Sequence, residues 1–203
     1  KNIFYLKSHL RQNDYDLMHA HYSLSGWVAV LASRKTPVVL SLMGDDALGT
    51  YIGKQKITLT SRFLISLTYL IQLFVKAIIS KSPGIERAVY PKKISYIIPN
   101  GVQLKRFIAC PPGFRSELGL KKEKKYILFL ADPNDVNKNY TLARNAVNLL
   151  AREDVELINV FNVSTDVVVK YLNSVDVFVL CSFSEGSANV IKESMACNCP
   201  MVV

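Results

Sequence analysis

Four cysteines in 203 residues are too few for a disulfide scaffold. Acidic residues are scarce as well: 16 Asp and Glu face 25 Lys and Arg, for a formal net charge of +9. The shortage is uneven. Residues 1–103 hold 13 basic and 5 acidic groups, whereas residues 104–203 hold 12 and 11. The two halves are therefore expected to do different work, with an acidic partner or surface open to the first. No apolar run reaches the ~20 residues that a membrane-spanning helix needs. The most apolar stretch, Phe63 to Ile79, has 17 residues and is interrupted by Gln72 and Lys76. A charge near the centre of a span costs about 2.5–3.5 kcal/mol, so this stretch reads as a buried helix over 59–74 followed by a strand at 77–80. No fixed-period repeat and no low-complexity segment is present. The chain opens at Lys1 without an apolar leader, so no signal peptide is expected. It stops in Pro200-Met201-Val202-Val203, which reads as an interrupted strand, so an internal fragment of a longer protein is expected.

What is present points to an ordinary core. Half of the residues are hydrophobic, which excludes a disordered or collagen-like chain. At ~150 residues per domain, the length predicts between one and two domains. Short apolar strands are expected at 16–21, 38–42, 77–80, 95–98, 126–131, 155–161, 176–180 and from 201 onward. Helices are expected over 25–33 and 59–74, from Pro83 to near Tyr90, and over 141–152, 164–173 and 189–197. Such alternation predicts parallel sheets covered on both faces. The rhythm breaks between 103 and 125, where Pro111, Pro112 and Gly113 precede a lysine run at 121–125. Two doubly wound domains are expected, 1–105 and 125–203, with 106–124 as linker.

In open parallel sheets ligands bind beyond the carboxyl ends of the strands. The loop Ser182-Phe183-Ser184-Glu185-Gly186-Ser187-Ala188-Asn189-Val190 follows a strand and opens a helix that carries Glu193. A helix start offers unpaired N–H groups and a positive dipole end to phosphates and hydroxyls. Gly186 lets a ligand approach the backbone closely. Glu185 and Glu193, eight apart, are placed to accept hydrogen bonds from sugar and ribose hydroxyls. The bland alternative is a helix-start charge and a solvated helix residue.

The segment from Ser182 through Glu185 and Glu193 to Val203 resembles the E-x7-E segment of retaining GT-B glycosyltransferases of the group-1 family, glycosyltransferase family four. Ile98-Pro99-Asn100-Gly101-Val102 with Phe107 resembles that family's PNGVD…F stretch. Asp16-Leu17-Met18-His19-Ala20-His21 resembles its D-x-x-H-x-H strand, and Val39 to Asp46 its apolar strand ending in a Gly and Asp turn. Ile79-Ser80-Lys81-Ser82 resembles its strand ending in Ser before a short helix. Order and spacing agree over nearly the whole chain, which spans roughly the middle half of a usual member.

The resemblance implies two Rossmann-like parallel-sheet domains, both incomplete in this chain, and transfer of a sugar with retention from a nucleotide-diphosphate sugar to a glycan or lipid-linked acceptor. It places His21, Lys138 and Glu185 at the reacting sugar and its diphosphate. Gly186, Ser187, Ala188, Asn189 and Val190 line the donor, and Glu193 binds its ribose. A lysine at the diphosphate steadies charge that grows on the leaving group. No metal and no cofactor beyond the donor is then expected, and no Asp-x-Asp pair stands in a matching place. Asp45 and Asp46 either hold acceptor hydroxyls or cap the next segment. The family's Arg ahead of the diphosphate lysine is missing from Leu130 to Asn139, where Asp132 and Asp135 stand instead. A cytoplasmic location, with peripheral contact of the basic half at the anionic inner face of a membrane, is the matching expectation.

A GT-B sugar-nucleotide epimerase shares the architecture. A basic nucleic-acid module would need aromatics interleaved with its lysines, and these are scattered. His19 and His21 lack a third metal ligand at useful spacing. Cys197 and Cys199 read as two buried thiols. Two glycosylation sequons, at Asn139 and Asn162, have no other support.

Overall fold

The computed structural model describes residues 1–33, 35–50, 57–110 and 113–203. The chain forms two units. The first runs from Lys1 to Thr50 and from Ile57 to Asn100, together with Glu185–Ser187; the second comprises Gly101–Ser184 and Ala188–Val203.

The first unit contains α1 (Asn2–Gln12), β1 (Met18–His21), α2 (Ser23–Ala32), β2 (Val38–Ser41), α3 (Asp45–Leu48), α4 (Leu59–Ile71), β3 (Ala77–Ser80), α5 (Pro83–Glu86) and β4 (Ser95–Ile97). Its four strands pair in parallel in the order β1-β2-β3-β4. Leu40 and Ile78, on the two central strands, are fully buried, as continuous apolar strands covered on both faces must be. Helix α1 is an addition to the sequence expectation. Helix α5 starts as the sequence predicts, with Ser82 capping Ile85 and Pro83 in the first turn. The Gln72 side chain, wholly buried at the end of α4, donates to the Ala88 carbonyl and accepts from the Tyr90 N–H, both at 2.9 Å. Its polarity is a tertiary tie rather than a flaw in a buried helix.

Helix α4 corrects one expectation. It is not buried all round: Leu59 is 81% exposed, Phe63 67% and Leu70 46%. Its buried positions are Ser61, Thr68 and Ile71. The two hydroxyls are satisfied nearby, Thr68 donating to the Leu64 carbonyl at 2.9 Å and Ser61 accepting from the Thr50 N–H at 3.0 Å. Two small polar residues therefore share the inner face with Ile71 while Leu59, Phe63 and Leu70 face outward, an arrangement that no apolar stripe in the sequence reveals.

The second unit contains α6 (Phe114–Glu117), β5 (Lys125–Phe129), a 3-10 turn (Val136–Lys138), α7 (Tyr140–Leu149), β6 (Val155–Asn159), α8 (Thr165–Leu172), β7 (Val177–Val179), α9 (Asn189–Ala196) and β8 (Met201–Val202). The strands are parallel in the order β6-β5-β7-β8. The order of strand addition reverses at β5, which has β6 on one side and β7 on the other. The crevice at such a switch point is where open α/β sheets bind ligands. The loops that leave β5 and β7 contain Lys138 and Glu185.

The expected linker, 106–124, is packed structure. Phe107 is buried in the core of the second unit. The Cys110 N–H donates to the Asn173 side chain at 2.7 Å, and Arg115 reaches the Ser174 carbonyl and the Asp176 carboxylate at 2.7 and 2.6 Å. The division between the units falls at Asn100 and Gly101, a few residues before the expected boundary. Pro111 and Pro112, which helped to mark the linker, lie outside the described residues.

Candidate functional site

The second unit builds a hollow at its switch point. It encloses about 480 Å³ and is lined by Asp132 after β5, Phe161 and Val163 after β6, and Val190 and Glu193 on α9. Glu193 is placed there because α9 starts directly beyond the β7 loop, so its second turn overlies the ends of β5 and β6. Burial pushes the Glu193 carboxyl up, partly offset by Lys192. Among the described residues its side chain makes no hydrogen bond or ion pair in the protein. A half-buried carboxylate in that state is an acceptor suited to vicinal hydroxyls. Helix α9 begins without a side-chain cap at Ala188, and the start of a helix carries the positive end of its dipole.

Lys138 ends the 3-10 turn in the other switch-point loop. The two aspartates that stand where an Arg was expected are turn makers. Asp132 accepts from the Asn134 N–H at 2.9 Å, and Asp135 from the Asn137 N–H at 2.9 Å. They shape the loop that presents Lys138. Asn137 then ties this loop to the next: its carbonyl accepts from the Phe183 N–H, and its amide donates to the Ser184 carbonyl, both at 2.9 Å. Asn137 was not singled out in the sequence, and an Asn in a polar loop carries no signal of such a tie. Lys138, Glu185, Ser187 and Asn189 each have polar or electrostatic interactions of their own.

The first unit places His21 at the carboxyl end of β1. Its ring lies 4.3 Å from that of His19, centroid to centroid, because residues two apart on a strand share a face. The His19 Nε2 is 2.8 Å from the Ser41 Oγ on β2. Burial, then the neighbouring His21 and Lys81, hold the His19 imidazolium below its ordinary range.

Of the two readings of the Asp45-Asp46 pair, the structure divides them. Asp46 is fully buried. One of its oxygens accepts from the Ser23 N–H at 2.9 Å, the other from the N–H groups of Met43 and Gly44 at 2.9 and 3.1 Å. Burial still raises its carboxyl above the usual range against those bonds. Asp46 is thus a cap joining α2 to the β2 loop, and the expectation that it binds acceptor is corrected. Asp45 is exposed in the first turn of α3.

Comparison with known proteins gives these placements a frame. One family model, described as Glycosyltransferase Family 4, matches residues 1–106, and another, described as Glycosyl transferases group 1, matches residues 143–203. No curated protein matches. The chain is similar to solved sucrose-phosphate synthase from Thermosynechococcus elongatus, with TM-score 0.72 and 18% identity over 98% of this chain and 58% of that one. It is similar to HepE of Anabaena in complex with UDP, with TM-score 0.73 and 16% identity over 99% of this chain and 62% of that one. A glycosyltransferase from Rickettsia africae aligns with TM-score 0.62 and 12% identity over 98% and 60%. The chain thus spans about three fifths of these proteins, and the likeness is one of fold. It bears out the expected class, α/β with two Rossmann-like parallel-sheet units of the GT-B kind. With more than half of its length matched by a single family model, the chain belongs to glycosyltransferase family 4.

Proposed function

We propose that the protein is a glycosyltransferase that moves a sugar from a nucleotide-diphosphate sugar to a hydroxyl of a glycan or lipid-linked acceptor, with retention and without a metal. The observation that carries this reading is the hollow at the switch point of the second unit, with Glu193 in its wall and Lys138 in the adjoining loop. The similar Anabaena protein has been solved with UDP and with UDP-glucose, which supports a nucleotide-sugar donor.

Each group has a chemical task in this reading. Glu193 accepts hydrogen bonds from the ribose hydroxyls. The uncapped start of α9 and Gly186 to Asn189 lie along the sugar and phosphate. Lys138 meets the diphosphate, whose charge grows as the glycosidic bond breaks, so a fixed cation there lowers the barrier more than it tightens ground-state binding. Glu185 and His21 act beside the transferred sugar, and Asp45 at the acceptor.

Among the described residues no helix is long and apolar enough to cross a membrane. The outward apolar face of α4, on the basic half of the chain, supports peripheral contact with an anionic bilayer from the cytoplasmic side. Cosedimentation with anionic vesicles at low salt tests this, and no pelleting would end it.

Titration of the protein with nucleoside diphosphates and their sugars tests the main reading. One donor class should bind, and Glu193→Ala should weaken it about ten- to a hundredfold, as expected for about 1.5–3 kcal/mol of hydrogen bonds to a charged group. Equal binding by the variant would count decisively against the assignment. Turnover that survives a chelator, and a product with the donor's anomeric configuration, test the remaining parts.

A further inference from the structure

Lys81 directly follows β3 and is only 7% exposed. No ion pair among the described residues includes it. A buried ammonium without a carboxylate is rare, because removing an ion from water is costly unless an opposite charge compensates. The register shows what surrounds it. His21 pairs with Ser41, and Ser41 with Ile79. Paired residues of parallel strands share a face, and side chains alternate along each strand. His19, His21 and Ser41 therefore lie on one face, and continuing the alternation past Ile79 brings Lys81 to the same face. His21, Ser41 and Lys81 stand at the carboxyl end of one sheet, where ligands of open α/β sheets bind, and the His19 ring, two residues back on β1, reaches Ser41.

We infer that this end of the first sheet binds a phosphate group carried by the acceptor, with Lys81 and His19 as its donors and Ser41 holding the His19 ring. The inference rests on the glycosyltransferase reading and names the acceptor class for that reaction. Burial first, and then the neighbouring His21 and Lys81, lower the His19 titration, in keeping with the proximity that the register gives these groups. The nearby carboxylates do not relieve them: Asp46 is committed to three backbone N–H groups, and Asp45 is exposed and pairs with none of them. Separate point donors suit a tetrahedral phosphate, whereas the planar fork that favours carboxylates belongs to Arg.

A soluble sugar or polyol phosphate and a phospholipid both present this group, and the experiment separates the two. The protein, saturated with UDP to occupy the donor hollow, is titrated with glycerol 3-phosphate, and separately with phosphatidylcholine vesicles with and without phosphatidic acid. Saturable binding in one arm is expected, and that arm identifies the source. Lys81→Met, which keeps the length and apolar stem, should bind at least tenfold more weakly, and His19→Gln at least threefold. UDP binding should be unchanged in both, so failure of the donor reading would register separately as loss of UDP binding. Absence of saturation in both arms, or wild-type phosphate binding by Lys81→Met, would overturn the inference. Should Lys81→Met not fold by its melting curve, wild-type binding by His19→Gln overturns it instead.

Discussion

The Asn137 side-chain amide donates to the Ser184 carbonyl at 2.9 Å, and so joins the loop that presents Lys138 to the loop that leads into Glu185. A second bond, from the Phe183 N–H to the Asn137 carbonyl, makes the tie two-stranded. Two loops from neighbouring strands are thereby held at a fixed spacing by one residue that has no charge to contribute. Its Oδ1 is buried without a partner among the described residues, so the amide is held by one side only.

Asn137→Ala should therefore slow sugar transfer more than it harms the fold. A single neutral hydrogen bond contributes about 0.5–1.5 kcal/mol to stability, which implies a small loss in urea midpoint. Loosening the Lys138 loop should reduce kcat about tenfold or more, since placement at the leaving group enters mainly in the transition state. Steady-state kinetics with the cognate donor check this, and an unchanged kcat would remove Asn137 from the machinery.

Asp46→Ala should unfold or strongly destabilise the first unit. It strands the N–H groups of Ser23, Met43 and Gly44, and the expected loss is about 2–4 kcal/mol. Asp45→Ala, one residue away and exposed, should leave the denaturation midpoint unchanged. A side-by-side urea titration distinguishes the two.

Glu193 predicts a pH dependence with a definite sign. Burial raises its carboxyl in the folded state, so the folded protein holds that proton more tightly than the unfolded chain. Its contribution favours folding below the ordinary carboxylate range and is lost as pH rises through the raised value. Glu193→Gln should match the wild type near pH ~3.5 and exceed its stability near pH ~7.5. Higher stability together with weaker donor binding would be the signature of a carboxylate kept for function; equal stability at both pH values would refute it.

Asp176 predicts the opposite sign. Burial works to raise its carboxyl, but the Tyr126 N–H, Lys125 and Arg115 outweigh it and hold the group below its usual range. The stabilisation is present above the ordinary carboxylate range and is lost as pH falls through the lowered value. Asp176→Asn should cost about 1–2 kcal/mol at neutral pH, between the values for exposed and buried pairs. The deficit should shrink in acid, and thermal melts across pH measure it. The same substitution weakens one tie of Arg115, while its bond to the Ser174 carbonyl remains.

The order of strands and helices was legible in the sequence because each short apolar run is bounded by polar turns. The strand 77–80 agrees to the residue, and most others lie within two. The helix that carries Glu193 was legible too: expected over 189–197, it is found at Asn189–Ala196. Local sequence could not decide the facing of α4, since a helix apolar on every side shows no stripe and only packing selects the inner one. Nor could it separate Asp45 from Asp46. Neighbours in sequence share a composition, and only the approach of α2 to the β2 loop determines which carboxylate is buried against three N–H groups. The grouping of Lys81 with His19, His21 and Ser41 likewise arises from register between strands that lie tens of residues apart, a relation that no single segment contains.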